Sequence, residues 1–115
     1  MTLPDRDLGY LTDIRKYASR AMSHVEGATL EQFTNTESMI DAVIRCLIVI
    51  GEAAGRVSKS TCAELGHLDW SGMSGMRHRL VHDYGRIRHQ LVWDVIQTEL
   101  PVLVEQLDAV LERSE

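Results

Sequence analysis

Between residues 77 and 89 the sequence concentrates arginine and histidine, the side chains best suited to binding and cleaving a phosphate ester. Four arginines and three histidines stand there against one acid, Asp83, so the segment carries a formal charge of +3 and the remaining residues carry −8. Arginine offers a fixed fork of donors that matches phosphate oxygens, and histidine carries a proton near neutral pH. A basic cluster on an acidic chain predicts a local anion site, although a solvated arginine face would have the same composition.

The order of residues within this segment favours a specific motif over a solvated arginine face. Arg77, His82 and Tyr84 form the pattern R-x-x-x-x-H-x-Y. This pattern resembles the motif of the HEPN superfamily, and most of all its HepT branch. Flanking features that are also similar are the GEAA box at residues 51–54, Trp70, and the VWD sequence at residues 92–94. Two positions depart from the family pattern, because His78 stands where Asn is frequent and Asp69 stands where Pro is expected.

The resemblance implies a function that composition alone does not. HepT-like proteins are metal-independent endoribonucleases and the toxins of bacterial type VII-like toxin–antitoxin pairs. Their partner is a minimal nucleotidyltransferase antitoxin, which neutralises them by transferring AMP to the motif tyrosine, here Tyr84. The alternative is a noncatalytic HEPN-type helical module that docks onto a nucleotidyltransferase and assists it. Neither interpretation requires a cofactor.

The chemistry of RNA cleavage agrees with these residue types. Without a metal ion, the enzyme must remove the proton of the 2′-hydroxyl, stabilise the charge of the phosphorane and protonate the leaving 5′-oxygen. We assign proton transfer to His82 and phosphate binding to Arg77. His78 is a second candidate proton carrier or a positioning group, and Arg79 and Arg86 are accessory candidates for binding RNA.

Helical geometry separates the two main candidates. Five residues at 100° each place Arg77 and His82 about 140° apart around an ideal helix, so they do not share a face. Two copies of the chain that meet at a two-fold axis would bring the two groups into one cleft. The second helix, whose middle at residues 42–50 is apolar on nearly every side, is a candidate for the contact between copies. We therefore expect a homodimer.

Other side chains near the motif leave alternatives open. His78 and His82 have the H-x-x-x-H spacing of some zinc sites, but no third ligand beyond Asp83 or His89 is evident, so no metal is expected. Glu52 is either buried and paired with an arginine such as Arg77, or solvated. Trp70 and Trp93 are more typical of core packing than of base stacking.

Apolar periodicity predicts helices throughout the chain. The first helix spans about Asp5 to His24, and residues 26–35 form a loop in which residues 29–32 can start a short helical turn. A second helix begins after Thr34 or Thr36 and continues through about Glu64, followed by a loop at residues 65–70. The third runs from Ser71 or Ser74 to about Tyr84, and the last from Gln90 to Arg113, with a kink or break near Glu99 caused by Pro101. The sequence thus predicts an all-α antiparallel bundle of four to five helices, HEPN-like in arrangement.

Length and composition limit the remaining possibilities. The 115 residues, 44% hydrophobic and 25% charged, suit a single domain spanning residues 1–115. The acidic N-terminal segment does not resemble a signal peptide, and no apolar run reaches the ~20 residues of a membrane helix, so we expect a cytoplasmic protein with no membrane partner. Cys46 and Cys62 form no disulfide framework and no metal motif.

Overall fold

The computed structural model describes residues 2–114, apart from the side chain of Tyr84, and every regular element in this part of the chain is helical. The elements are α1 (Asp5–His24), α2 (Leu30–Thr34), α3 (Glu37–Arg56), α4 (Lys59–Glu64), α5 (Trp70–His82), a 3-10 turn (Tyr84–Arg86), α6 (His89–Asp94), a π-helical turn (Val95–Glu99) and α7 (Leu100–Arg113). Since α6, the π turn and α7 follow one another directly, the bundle has four long helical segments and two short helices. The predicted all-α bundle is confirmed.

Helix α3 is the central element of the bundle. It packs against α1 on one side and α5 on the other, while α1 also packs against α7. Nine of its residues are buried, including Val43, Leu47 and Ile50. The apolar middle of this helix therefore faces mainly its neighbours within the bundle, and only Ala42, Ile48 and Val49 remain half-buried there.

The second long helix ends earlier than the sequence predicts. We expected helix through Glu64, but α3 ends at Arg56, Val57 adopts an extended conformation with ψ 137°, and a separate helix, α4, begins at Lys59. The break allows the Ser58 side chain to cap α4 by accepting a hydrogen bond from the Thr61 amide. It also brings Ser58 against the start of α1, which shows that α1 and α3 run antiparallel.

Local capping also moves the bounds of two other elements. Thr29 and Gln32 form a reciprocal capping box, so the loop after α1 contains the short helix α2. Helix α5 begins at Trp70, before the predicted Ser71 or Ser74, because the Asp69 carboxylate accepts a hydrogen bond from the Gly72 amide at 3.0 Å. It ends at His82, and the chain continues into the 3-10 turn, so Tyr84 lies beyond the helix.

Pro101 interrupts the last helix without ending it. The interruption predicted near Glu99 takes the form of the π turn at Val95–Glu99, in which the Leu100 amide donates to the Val95 carbonyl five residues earlier. In a regular α-helix the proline ring would clash with the carbonyl one turn back. The wider turn accommodates that ring, and the helical stretch continues to Arg113.

The tryptophans and cysteines behave as packing residues. The indole of Trp70 donates to the Leu65 carbonyl at 2.9 Å, and the Trp93 ring lies 5.5 Å from the ring of Phe33. Both cysteines are free thiols, and burial raises the pKa of each. Among the described residues, no helix combines the length and apolarity needed to cross a membrane.

Asp7 is a buried carboxylate that joins α1 to the start of α4. It is 3% exposed and accepts hydrogen bonds from the Ser58 amide at 3.0 Å, the Ser58 hydroxyl at 2.6 Å and the Thr61 hydroxyl at 2.5 Å. The bonds from the Ser58 and Thr61 hydroxyls lower the pKa of Asp7 and outweigh the opposing effect of burial. Sequence reasoning missed this residue, because its partners lie more than 50 positions away.

Replacing Asp7 with Asn should destabilise the fold by about 2 kcal/mol at pH 7, since it removes the charged acceptor of three hydrogen bonds, one of them buried. The folded pKa of Asp7 lies below its unfolded value, so its stabilisation is complete above about pH 4 and is lost as the pH falls through the folded pKa. Urea unfolding of wild type and D7N should give curves whose difference narrows in acid. The exposed neighbour Asp5 supplies the control variant D5N, and a gap for D7N that does not change with pH would contradict the assignment.

Candidate active site

The site depends on a close approach between α3 and α5 at Gly51. A Cβ atom at this position would overlap the Cβ atom of Arg77 and lie 2.8 Å from the carbonyl oxygen of Met73. No residue larger than glycine fits there unless one of the helices shifts. The glycine of the GEAA box therefore has a packing role: it seats the stem of Arg77 directly on the backbone of α3.

Arg77 extends from this contact along the edge of α3. Its Nη2 atom lies 3.7 Å from Oε1 of Glu52, and the two side chains are 39% and 46% exposed. Glu52 is thus close to Arg77, as the sequence allowed, but it is not buried. The Arg77 Nε atom is buried and has no hydrogen-bond partner in the described part of the chain. The stem of Arg77 is consequently held by packing and its guanidinium by a loose ion pair, and the partly exposed side chain is accessible from the groove.

An open groove between α3 and α5 contains this arginine. The residues that line it are Gly51, Glu52, Gly55, Arg56, Ser74, Gly75, Arg77 and His78. Small residues on both helices keep the groove shallow and accessible. It therefore presents two arginines and one histidine to a ligand that lies along the helices.

His78 lies between Arg77 and His82. The His78 and His82 rings are 4.5 Å apart, centroid to centroid, with 48° between their planes, as expected for residues one helical turn apart. Both rings are exposed, and His82 is the last residue of α5. His78 therefore connects the two main candidates. It lines the groove together with Arg77, and its ring contacts the ring of His82.

The other predicted site residues lie apart from this groove. Arg79 is exposed on α5, and Arg86 is exposed in the 3-10 turn that follows the helix. Neither is among the residues that line the groove with Arg77. Tyr84 begins that turn, but its side chain lies outside the described part of the structure.

The start of α5 explains the unusual residue before Trp70. Asp69 caps the helix, and its carboxylate occupies the space that a Cβ atom at Gly72 would fill, so a larger residue there would make the carboxylate shift. An acid three residues before a glycine amide is a sequence signal that could have identified this cap. Within residues 2–114, no group of three histidine, cysteine or acidic side chains is placed to hold a metal ion.

A family model and individual relatives of this chain point to the same family. A family model described as "Ribonuclease HepT-like" matches residues 14–110. Two relatives from Methanocaldococcus jannaschii, both named as candidate RNases, are 30% and 29% identical over 111 residues, covering 96% of this chain and 96% and 92% of theirs. A protein from Thermococcus cleftensis named as a probable ribonuclease HepT is 27% identical over 94 residues, covering 82% of this chain and 86% of its own. No solved structure matches the chain significantly.

Replacing Gly51 with Ala should destabilise the fold by about 1–3 kcal/mol, because the new methyl group forces α5 away from α3. Gly55 supplies a matched control in the same helix, since a Cβ atom there would contact nothing within 4 Å. G55A should be neutral or more stable by about 0.5–1 kcal/mol, as alanine favours helix. Urea unfolding of both variants checks this, and equal stabilities for G51A and G55A would contradict the proposed packing.

Proposed function

This chain belongs to the HepT-like ribonuclease family of the HEPN superfamily, and we propose that it is a metal-independent endoribonuclease whose catalytic residues are Arg77 and His82. The observation that carries the proposal is the position of Arg77: its stem packs on Gly51, and it lines one groove with His78, whose ring contacts that of His82. An arginine and two imidazoles at one end of α5 are the residue types that phosphodiester cleavage needs.

In the proposed reaction the nucleophile comes from the RNA itself. His82 removes the proton of a 2′-hydroxyl, the 2′-oxygen bonds to the adjacent phosphorus, and the bond from phosphorus to the 5′-oxygen breaks. The 5′-oxygen takes a proton from His78 or from water, and a 2′,3′-cyclic phosphate remains on the other fragment. Arg77 stabilises the negative charge that develops on the phosphorane oxygens. His78 replaces the asparagine frequent in the family, and it either serves as the second proton carrier or positions the phosphate. Arg79 and Arg86 are accessory groups for more distant phosphates.

We further propose that the enzyme works as a homodimer. Arg77 and His82 lie about 140° apart around α5, so a second copy would supply the complementary group to each phosphate. Surface hydrophobic residues support a contact through these helices: Ile48 and Val49 are half-buried on α3, and Val81 on α5 is 43% exposed. Each of the two equivalent clefts would then combine residues from both copies.

Biologically, the family relationship supports a cytoplasmic toxin of a type VII-like toxin–antitoxin pair. Its partner would be a minimal nucleotidyltransferase that transfers AMP to Tyr84, two residues beyond His82. The adduct would bring bulk and negative charge to a site that binds RNA phosphate, so it would exclude the substrate both sterically and electrostatically.

Arg77→Ala and His82→Ala should each reduce RNA cleavage by at least about 100-fold, because each removes a group that acts in the transition state. The control variants are Arg113→Ala and His24→Ala, both exposed and distant in sequence from the motif, and they should keep full activity. Cleavage by wild type should also persist in excess EDTA. A gel assay on labelled single-stranded RNA measures all of these rates.

Mixing the two inactive variants tests the shared cleft. If each cleft combines residues from both copies, mixed dimers contain one intact cleft, and an exchanged equimolar mixture regains about a quarter of the wild-type rate. Full activity of either single variant, or loss of wild-type cleavage on chelation alone, would refute the catalytic assignment. RNA binding without cleavage in wild type would favour a noncatalytic module instead.

Tyr84→Phe removes only the hydroxyl that would accept AMP, so this variant should keep most of its ribonuclease activity and escape neutralisation. Incubation of wild type with the cognate nucleotidyltransferase, ATP and magnesium should add AMP that peptide mass spectrometry maps to residue 84. Tyr10→Phe and Tyr17→Phe, the matched controls, should still be modified and silenced. An adduct on Tyr10 or Tyr17 would show that the regulatory site is wrongly assigned.

A further inference from the structure

A cluster of cations surrounds Tyr17, where α1 packs against α3. Arg20, Arg45 and Lys16 lie with their charged groups 5.0, 5.7 and 5.9 Å from the centre of the Tyr17 ring. Arg45 belongs to α3 and the others to α1. Each cation is attracted to the face of the ring, yet three like charges around one ring repel one another. An anionic ligand would relieve that repulsion.

A second tyrosine on the same face of α1 has a similar environment. The Arg6 Nε atom donates to the Tyr10 hydroxyl at 3.3 Å, and its guanidinium carbon lies 5.7 Å from the centre of the ring. Arg6 lowers the pKa of Tyr10, and Arg56 of α3 is close enough to lower it further. Tyr10 therefore also lies near two arginines: Arg6 of α1, and Arg56 at the end of α3.

The two clusters form one continuous strip. Tyr10 and Tyr17 are seven residues apart on α1, about 10 Å along its axis, while Arg56 and Arg45 face them from the antiparallel α3. We call this strip the α1/α3 seam; its members are Arg6, Tyr10, Lys16, Tyr17, Arg20, Arg45 and Arg56. Three carboxylates accompany these five cations, Asp13 between the tyrosines, Asp41 one turn from Arg45 and Glu52 one turn from Arg56, so the seam retains a formal charge of +2.

The seam also reaches the candidate active site. Arg56, which flanks Tyr10, is one of the residues that line the groove with Arg77 and His78. A chain of phosphates bound in that groove can therefore continue onto the seam. Alternating aromatic rings and cations along an open track are typical of surfaces that bind single-stranded nucleic acid without sequence preference.

We propose that the α1/α3 seam binds the phosphate backbone of single-stranded RNA whose scissile nucleotide lies in the Arg77–His78 groove. This proposal rests on the RNA substrate proposed above. Arg20 and Arg45 contact phosphates beyond the cleavage point, Tyr17 holds these two side chains in place, and Arg56 connects the seam with the groove. The seam lengthens the bound segment without taking part in the chemistry.

Fluorescence anisotropy with a labelled 2′-O-methyl RNA 15-mer tests the proposal, because this RNA has the phosphates but no 2′-hydroxyl to cleave. The double variant Arg20→Gln/Arg45→Gln should bind about 25-fold more weakly at 0.1 M salt, and its plot of log affinity against log salt should be shallower by about 1.4. The matched double variant Lys59→Gln/Arg113→Gln has the same change in net charge at exposed positions outside the seam. It should bind like wild type.

Tyr17 gives an independent measurement. Tyr17→Phe keeps a ring for Arg20 and Arg45 and should preserve affinity, whereas Tyr17→Leu should weaken binding. Equal urea unfolding of the variants confirms that they fold.

The proposal is overturned if the Arg20/Arg45 variant binds with the affinity and salt slope of the Lys59/Arg113 variant, or if wild type does not bind this RNA. Cleavage of ordinary RNA is scored separately. If binding depends on Arg20 and Arg45 but wild type cleaves no RNA, the seam proposal holds and the catalytic proposal is wrong. If wild type cleaves RNA but binding does not depend on Arg20 and Arg45, the catalytic proposal holds and the seam proposal is wrong.

Discussion

The distance between α3 and α5 is set by the missing side chain at position 51. Because Gly51 has no Cβ atom, the stem of Arg77 and the backbone at Met73 rest directly on α3. The same helix α3 carries the opposite packing surface for α1. One contact between two helices thus couples the centre of the bundle to the direction of the arginine. Any expansion there would move the guanidinium and the groove together.

The helix that carries the motif is held unequally at its two ends. At its start, the Asp69 carboxylate caps the Gly72 amide, and the Trp70 indole bonds to the Leu65 carbonyl. At its end, His82 is exposed and the chain passes into a short 3-10 turn in which Gly85 and Arg86 are exposed. The anchored part therefore positions Arg77, while the group proposed for proton transfer lies at the exposed end of the helix. This division suits a site that must both hold a phosphate and remain open to a partner.

Local signals predicted more of this structure than long-range contacts did. The bounds of α1 followed from Pro4 and the apolar periodicity, and the all-helical bundle followed from the same pattern. The end of α3 at Arg56 was missed because it depends on Asp7, 51 residues from Ser58. The sequence left open whether Glu52 pairs with Arg77 or is solvated, because the answer depends on how closely two helices approach. The α1/α3 seam could not be predicted from the sequence for a similar reason. Its cations lie around Tyr10 and Tyr17 only when α1 and α3 are packed together.

The π turn at Val95–Glu99 restricts how this chain can change length during evolution. A π turn contains one residue more than the α-helical turn it replaces. Loss of one residue there would restore regular α-helical bonding and bring the Pro101 ring against the carbonyl one turn back. Loss of one residue within α7 would rotate the rest of that helix by about 100° and turn the buried side chains of Leu107 and Val110 away from their present partners. Insertions and deletions among descendants of this sequence should therefore accumulate in the connecting loops, and the helical stretch from His89 to Arg113 should keep a constant length.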